Sequence, residues 1–358
     1  MIRSFRRLDW ALITAAGLLA GMSLLSLASV APQLMPQQAA WFAVGFCIII
    51  FGSRLEWVRL GKESWFRAAL YWFSIALLAA TYLQSGTIRG TKSWLVLGPL
   101  QFQPAELAKV ALIIAYAGFF SRRHIEAWWG RNVARSFLVL LPPALLTMFH
   151  PDLGSALILA AIWASFLLMS GPHAKRLLAG LMILLILAGT MWVTILKPYQ
   201  KDRVLGFVFT DQDPLGINYN IVQSKVAIGS GGFFGKGFGG GTQTQLHFLP
   251  EAQSDFLFAA FVEEWGFVGA SFLLLTFFLL LFRLSRVGVR ARDNYSRFMV
   301  LGAGVFFLVH FFINVGSAVG FIPVAGITFP FFSYGGSNVL TGSILLSIIQ
   351  SIHLESSS

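Results

Sequence analysis

Ten apolar runs of about twenty residues recur along the chain, near 9–30, 39–58, 68–85, 104–121, 134–150, 153–170, 175–197, 256–283, 298–320 and 332–352. That repetition limits the fold more than any other feature. An α-helix rises about 1.5 Å per residue, so about 20 apolar residues are what a helix needs to cross roughly 30 Å of hydrocarbon. Hydrophobic residues make up 56% of the 358 and charged ones 11%, too few polar side chains to cover a water-soluble globule. No succession of short strands alternating apolar and polar residues appears, so the spans are read as helices. The expectation is an all-α integral membrane protein of about ten transmembrane helices. Residues 1–354 form one polytopic unit, and 355–358 are set aside as a cloning remnant.

A formal net charge of +11 would point to nucleic acid in a soluble protein, but here the cations sit in short loops between apolar runs. Arg3, Arg6 and Arg7 precede the first run; Arg54, Arg59, Lys62 and Arg67 follow the second; Arg122, Arg123, Arg131 and Arg135 follow the fourth. Lys175 and Arg176 follow the sixth, and five arginines lie between Arg283 and Arg297. The positive-inside rule makes that side, with both termini, cytoplasmic. Nucleic-acid binding is not expected. Cys47 lies inside an apolar run and reads as a small packing residue. The first run follows "MIRSFRR" without a convincing signal-peptidase site and reads as a signal anchor.

Segments 86–103, 198–255 and 321–331 then face outward. The second, between the seventh and eighth helices, is longer than a connection requires and is expected to be functional. Ionisable residues at the ends of spans are costly in hydrocarbon and are candidates for function. Glu106 and Lys109 open the fourth run, Asp152 the sixth and Asp255 the eighth, and all three runs start on the outward side. Each has a plainer reading. Glu106 and Lys109, spaced i, i+3, could neutralise one another; Asp152 and Asp255 could be helix N-caps. Residues 265–282 already suffice for the eighth crossing, so Glu263 and Glu264 must stand above the bilayer, line a wet cavity, or serve buried donors. The stretch "GSGGFFGKGFGGG", 229–241, has the glycine content of a phosphate-cradling loop, but Lys236 is followed by Gly237 rather than Ser or Thr, so it is no P-loop. A hinge or re-entrant turn is the alternative. Glu251, four residues before Asp255, keeps an undecided role. No histidine shows zinc-ligand spacing.

"AIGSGGFFGKGFGGGTQTQLHFLPEAQSDFLFAAFVEEWGFVGA", 227–270, and "NVGSAVGFIPVAGITFPFFSYGGSN", 314–338, resemble the two signature regions of the SEDS (shape, elongation, division and sporulation) family, most closely its RodA branch. "GTKSWLVLGPLQFQPAELAKVAL" and "HPDLGSALI" resemble two further blocks, so the likeness covers nearly the whole chain. His150 stands where Gln is usual before Pro-Asp, and Asn338 where a small residue is usual.

The resemblance implies a peptidoglycan glycosyltransferase that polymerises lipid II on the outer face of the cytoplasmic (inner) membrane for cell elongation and shape. It implies a class B penicillin-binding protein as partner, with other cell-elongation membrane proteins. The family's essential Asp falls on Asp255. An α-linked donor and a β-linked product call for one inverting displacement, with Asp255 as general base to the attacking hydroxyl. Lys109, Arg89, Lys92, Arg203 and Lys236 are candidate cations for the leaving diphosphate, with Glu106 and Asp152 orienting them or the sugars. No cofactor is required; a divalent cation, Mg or Mn, could bridge the diphosphate to a carboxylate. The rival readings are a lipid II flippase and a non-enzymatic scaffold for a cell-wall synthase.

Overall fold

The computed structural model describes residues 7–83, 93–97, 100–123, 126–128, 130–171, 174–194, 201 and 218–357. In chain order the helices are α1 (Trp10–Val30), α2 (Met35–Gly52), a short α3 (Trp57–Lys62), α4 (Ser64–Ala80), α5 (Pro104–Arg123), α6 (Gly130–Phe149), α7 (Leu153–Leu168) and α8 (Ala174–Thr194). They continue with α9 (Tyr219–Ser230), a single turn α10 (Thr242–Gln245), α11 (Leu257–Arg290), α12 (Asn294–Val319) and α13 (Gly336–Ser357). Among the described residues 7 helices are long and apolar enough to cross a membrane, namely α1, α2 with the turn before it, α5, α6, α11, α12 and α13. α4 and α7 are apolar but shorter. The chain is a multi-pass membrane protein.

Three boundaries differ from the apolar runs, each for a local reason. α2 starts at Met35, because Pro36 falls in the first turn, where a missing N–H costs no hydrogen bond. Segment 86–103 contributes a two-stranded antiparallel hairpin, β1 (Leu95–Leu97) with β2 (Leu100–Phe102), pairing Leu95 with Phe102. The otherwise helical fold therefore carries one small sheet immediately before α5. The last helix begins at Gly336 rather than near 332. Pro330 and the Gly335-Gly336 pair oppose helix there, and the chain turns inward instead. Phe329, Phe331 and Phe332 are fully buried, with Phe329 at 5.0 Å ring distance from Phe277 of α11 and 5.3 Å from Phe311 of α12.

α11 is two helices joined at a break. Gly266 has φ 63° and ψ −162°, a conformation open to glycine and very few other residues. The break withdraws carbonyls and amides from the helical ladder, and hydrocarbon offers nothing to replace them. The glycine stretch does so. The N–H groups of Lys236 and Gly237 donate to the carbonyls of Glu263 and Glu264 at 3.0 and 2.9 Å, while those of Phe267 and Val268 donate to Gly232 and Phe233 at 3.0 and 3.1 Å. Gly235 and Gly266 thus lie backbone to backbone. The stretch turns back against α11, and the amides at 236 and 237 are committed to that helix rather than to an anion. Just upstream, α9 packs between α11 and α12, and Ser224 Oγ donates to the Ala318 carbonyl at 2.6 Å.

Side chains reinforce the joint. Glu263, fully buried, accepts from Lys236 Nζ at 2.7 Å, from the Thr242 hydroxyl at 3.2 Å, and from the Gln243 and Thr244 N–H groups at the start of α10. Glu264 accepts from the Ser29 hydroxyl of α1 and from the Gly239 N–H. Glu263 therefore gathers donors from the glycine stretch and α10, and Glu264 ties the same stretch to α1.

At the opposite end of the bundle, Asp9 caps α1 and takes a forked contact from Arg283 of α11, at 3.0 Å from Nε and 2.6 Å from Nη2. Gln350 of α13 exchanges two hydrogen bonds with the Asp9 backbone. Between α11 and α12, Asp293 caps α12 and meets Lys62 at 3.0 Å. Burial pushes its carboxyl up, but the Ser296 N–H and Lys62 outweigh that and hold it below its ordinary value.

A Cβ at Gly235 would lie 2.1 Å from the Glu264 carbonyl oxygen, whereas one at Gly239 meets nothing within 4 Å. Gly235→Ala is accordingly expected to destabilise the protein by about 2–4 kcal/mol. Gly239→Ala bears only its left-handed φ, at about 1–2 kcal/mol. Thermal unfolding of the detergent-solubilised variants checks this; equal melting points would refute a close-packed joint.

Candidate functional site

Residues 251–256 form a turn that leads into α11. Glu251 closes it from a left-handed φ of 48°. Its carbonyl accepts from the N–H groups of Ser254 and Asp255 at 3.1 and 3.2 Å, and its carboxylate accepts from the Ser254 hydroxyl at 3.2 Å. Glu251 thus builds the turn that presents Asp255. Asp255 is half-buried. The N-cap position of α11 belongs to Phe256, so Asp255 stands just ahead of the cap, in the turn rather than in the helix. Its Oδ2 lies 3.8 Å from where a Cβ on Gly326 would stand, so the carboxylate faces segment 325–327 at ordinary contact distance.

Asp152 does cap. Its Oδ1 accepts from the Ser155 N–H at 2.9 Å at the start of α7, and Oδ2 accepts from the Ser155 hydroxyl and from Gln103 Nε2, both at 2.8 Å. Gln103 stands between β2 and α5, and its own N–H donates to the Ser337 hydroxyl of α13 at 3.0 Å. One residue into α7, Gly154 lies so close to segment 325–327 that a Cβ would be 2.5 Å from the Ala325 carbonyl oxygen.

Glu106 and Lys109 also take up their local pairing. Lys109 Nζ donates to Glu106 Oε1 at 2.7 Å and contacts His310 Nε2 of α12 at 3.1 Å. His310 Nδ1 faces the Phe306 carbonyl at 2.7 Å, which can only accept, so Nδ1 carries the proton and Nε2 is the acceptor for Lys109. Lys109 and His310 are 0% exposed and Glu106 4%. A buried pair of this kind acts through its field and by fixing α5 to α12, because the ammonium does not reach the surface.

One turn along α12 from His310, Asn314 Nδ2 donates to the carbonyls of Asp255 and Ile327 at 3.0 and 2.8 Å. The three helix starts expected to converge are therefore joined by direct contacts: Asp152 to Gln103 ahead of α5, α7 to segment 325–327, and that segment through Asn314 to Asp255. Lys236 is drawn instead into the Glu263 pairing. Arg89, Lys92 and Arg203 lie outside the described residues. Sequence reasoning passed over His310 and Asn314, although a polar residue within "FFLVHFFIN" was a signal of the same kind as the one that picked out Glu106. Among the described residues no three His, Cys, Asp or Glu side chains converge as metal ligands.

Residues 6–358 match the family of cell cycle proteins that unites FtsW, RodA and SpoVE. The chain is 36% identical over 320 residues to the peptidoglycan glycosyltransferase MrdB of Escherichia coli (strain K12), covering 89% of this chain and 85% of that protein. It resembles a chain from a structure described as the structural coordination of polymerization and crosslinking by a peptidoglycan synthase complex, with a TM-score of 0.83, 31% identity and 98% of both chains covered. The crystal structure of the rod shape determining protein RodA of Thermus thermophilus is similar as well, with a TM-score of 0.69, 28% identity and 98% of both chains covered. Signature segments, helical architecture and these relatives agree: the chain belongs to the FtsW/RodA/SpoVE family, the SEDS proteins, in its RodA-like branch.

Proposed function

We propose that this chain is a peptidoglycan glycosyltransferase that polymerises lipid II at the outer face of the cytoplasmic membrane, with Asp255 as general base. One observation supports the reading: the half-buried Asp255 carboxylate stands just ahead of α11 and faces Gly326, at the end of the bundle where α5, α7 and α11 begin. Chain growth joins the C4 hydroxyl of one disaccharide to the anomeric carbon of another. Asp255 takes the hydroxyl proton as the new C–O bond forms, and the bond to the polyprenyl diphosphate breaks with inversion. The diphosphate departs as an anion and needs little acid assistance.

Charge developing on the leaving group is stabilised by cations near the same end. The buried Lys109 acts on it through space; Arg89, Lys92 and Arg203 are candidates for direct contact. A divalent cation, Mg or Mn, would find the Asp255 carboxylate and the diphosphate oxygens as hard ligands. A crosslinking class B penicillin-binding protein is the proposed partner, as the described activity of the similar synthase complex supports, with other cell-elongation membrane proteins around it.

In proteoliposomes given lipid II on the outside only, the wild-type chain with its partner is expected to make glycan strands. Transbilayer movement of lipid II without polymer would support a flippase instead. Asp255→Asn, nearly isosteric, is expected to remain folded and lose polymerisation; a parental rate would end the general-base assignment.

Lys109→Ala strands Glu106 in a dry interior and is expected to cost about 3–5 kcal/mol in stability together with activity. The paired change Glu106→Gln with Lys109→Met should recover most of the stability without the activity. Recovery of both, read by melting point and glycan yield, would reduce the pair to a structural role.

A further inference from the structure

We infer that Asn314 is a positioning residue for the reaction, holding Asp255 and the segment facing it at a fixed separation. The inference rests on the reading of Asp255 as the base. Asn314 is 1% exposed, and its amide nitrogen lies 3.0 Å from the Asp255 carbonyl oxygen and 2.8 Å from that of Ile327. Two carbonyls can only accept, so the amide orientation is fixed by its partners and both of its hydrogens are used. Neither carbonyl belongs to a helix: α11 begins at Leu257, and Ile327 lies between α12 and α13. The side chain therefore supplies what a backbone ladder would otherwise supply, and it does so for two separate segments at once.

Those two segments form the walls around the carboxylate. Ile327 follows Gly326, which faces Asp255 Oδ2, and the same segment packs against the start of α7 beside Asp152. The base of the arrangement is rigid. One turn along α12, His310 is fixed by the Phe306 carbonyl and by Lys109. Asn314 Oδ1 is buried with no hydrogen-bond partner. A buried acceptor left unpaired costs the fold its full desolvation penalty, so it is the two donated bonds that account for an amide at this position. Misplacing a general base by about 1 Å costs on the order of 100-fold in rate.

The test uses the full-length chain with its partner and labelled lipid II, measuring kcat, KM and the pH dependence of kcat for Asn314→Ala, Asn314→Asp and Asp255→Asn. Asn314→Asp keeps the shape but turns an acceptor toward two carbonyls. The expected result is a fall in kcat of about 100-fold in both Asn314 variants, with KM for lipid II within about twofold of the parent. The acid limb of the kcat profile moves to higher pH, because the Asp255 carbonyl loses the donor that offsets its dipole and, in Asn314→Asp, a second carboxylate is introduced beside the same turn. A parental kcat in a folded variant overturns the proposal, as does a loss of kcat that tracks folded protein while the acid limb stays in place. If Asn314→Ala does not fold, Asn314→Asp decides by the same criteria. An active Asp255→Asn would instead bring down the underlying reading of the base, whatever Asn314 does.

Discussion

Four backbone hydrogen bonds across the break at Gly266 decide how this bundle builds the end at which α5, α7 and α11 begin. An unbroken α11 would satisfy itself and need no neighbour. Once Gly266 leaves the helical region, the groups freed at 263, 264, 267 and 268 must be met by protein, since unsatisfied amides in hydrocarbon cost several kcal/mol each. Residues 232–237 meet them all. The short leading piece of α11, which follows the Asp255 turn, is thereby set against residues 232–237, and Glu263 and Glu264 extend the joint to α10 and α1. At Gly231, Gly235 and Gly266 the backbones approach so closely that a Cβ would meet main-chain atoms at 2.2, 2.1 and 2.3 Å.

The second constraint is the polar face of α12. His310 and Asn314 are four residues apart and so lie one above the other on that helix. The lower takes Lys109 and, through it, Glu106; the upper takes the carbonyls of Asp255 and Ile327. One helix thus holds both the buried ion pair and the Asp255 turn at fixed heights. Replacing a buried ion pair by apolar residues is often neutral or stabilising. Stability alone therefore does not account for Glu106 and Lys109.

Different features were legible to different degrees. Apolar runs located the helices because the hydrocarbon imposes a length and a polarity on each crossing. The i, i+3 pairing of Glu106 with Lys109 and the capping by Asp152 were readable because both are local, within one turn. Glu263 and Glu264 could be narrowed to a wet cavity or buried donors, but not to the glycine stretch, since that pairing spans about twenty-five residues and depends on where the break falls. The inward return of Phe329, Phe331 and Phe332 was missed because an apolar segment is equally suited to core and to bilayer. Its placement was decided by partners on α11 and α12.

Sequence by itself determined that this is a multi-pass helical membrane protein, that its charges are segregated, that acidic residues open three spans on one side, and that Asp255 belongs to a signature shared with a known family. The first three follow from composition and from the order of residues along the chain, the last from a resemblance between motifs. Only the tertiary structure decided that Asp152 caps while Asp255 stands just ahead of the cap, that Lys236 is committed to Glu263, and that Asn314 joins the Asp255 turn to the segment opposite. Each of those outcomes is a competition among hydrogen-bond partners distant in sequence. Buried polar groups take whichever partner the packed helices bring within reach.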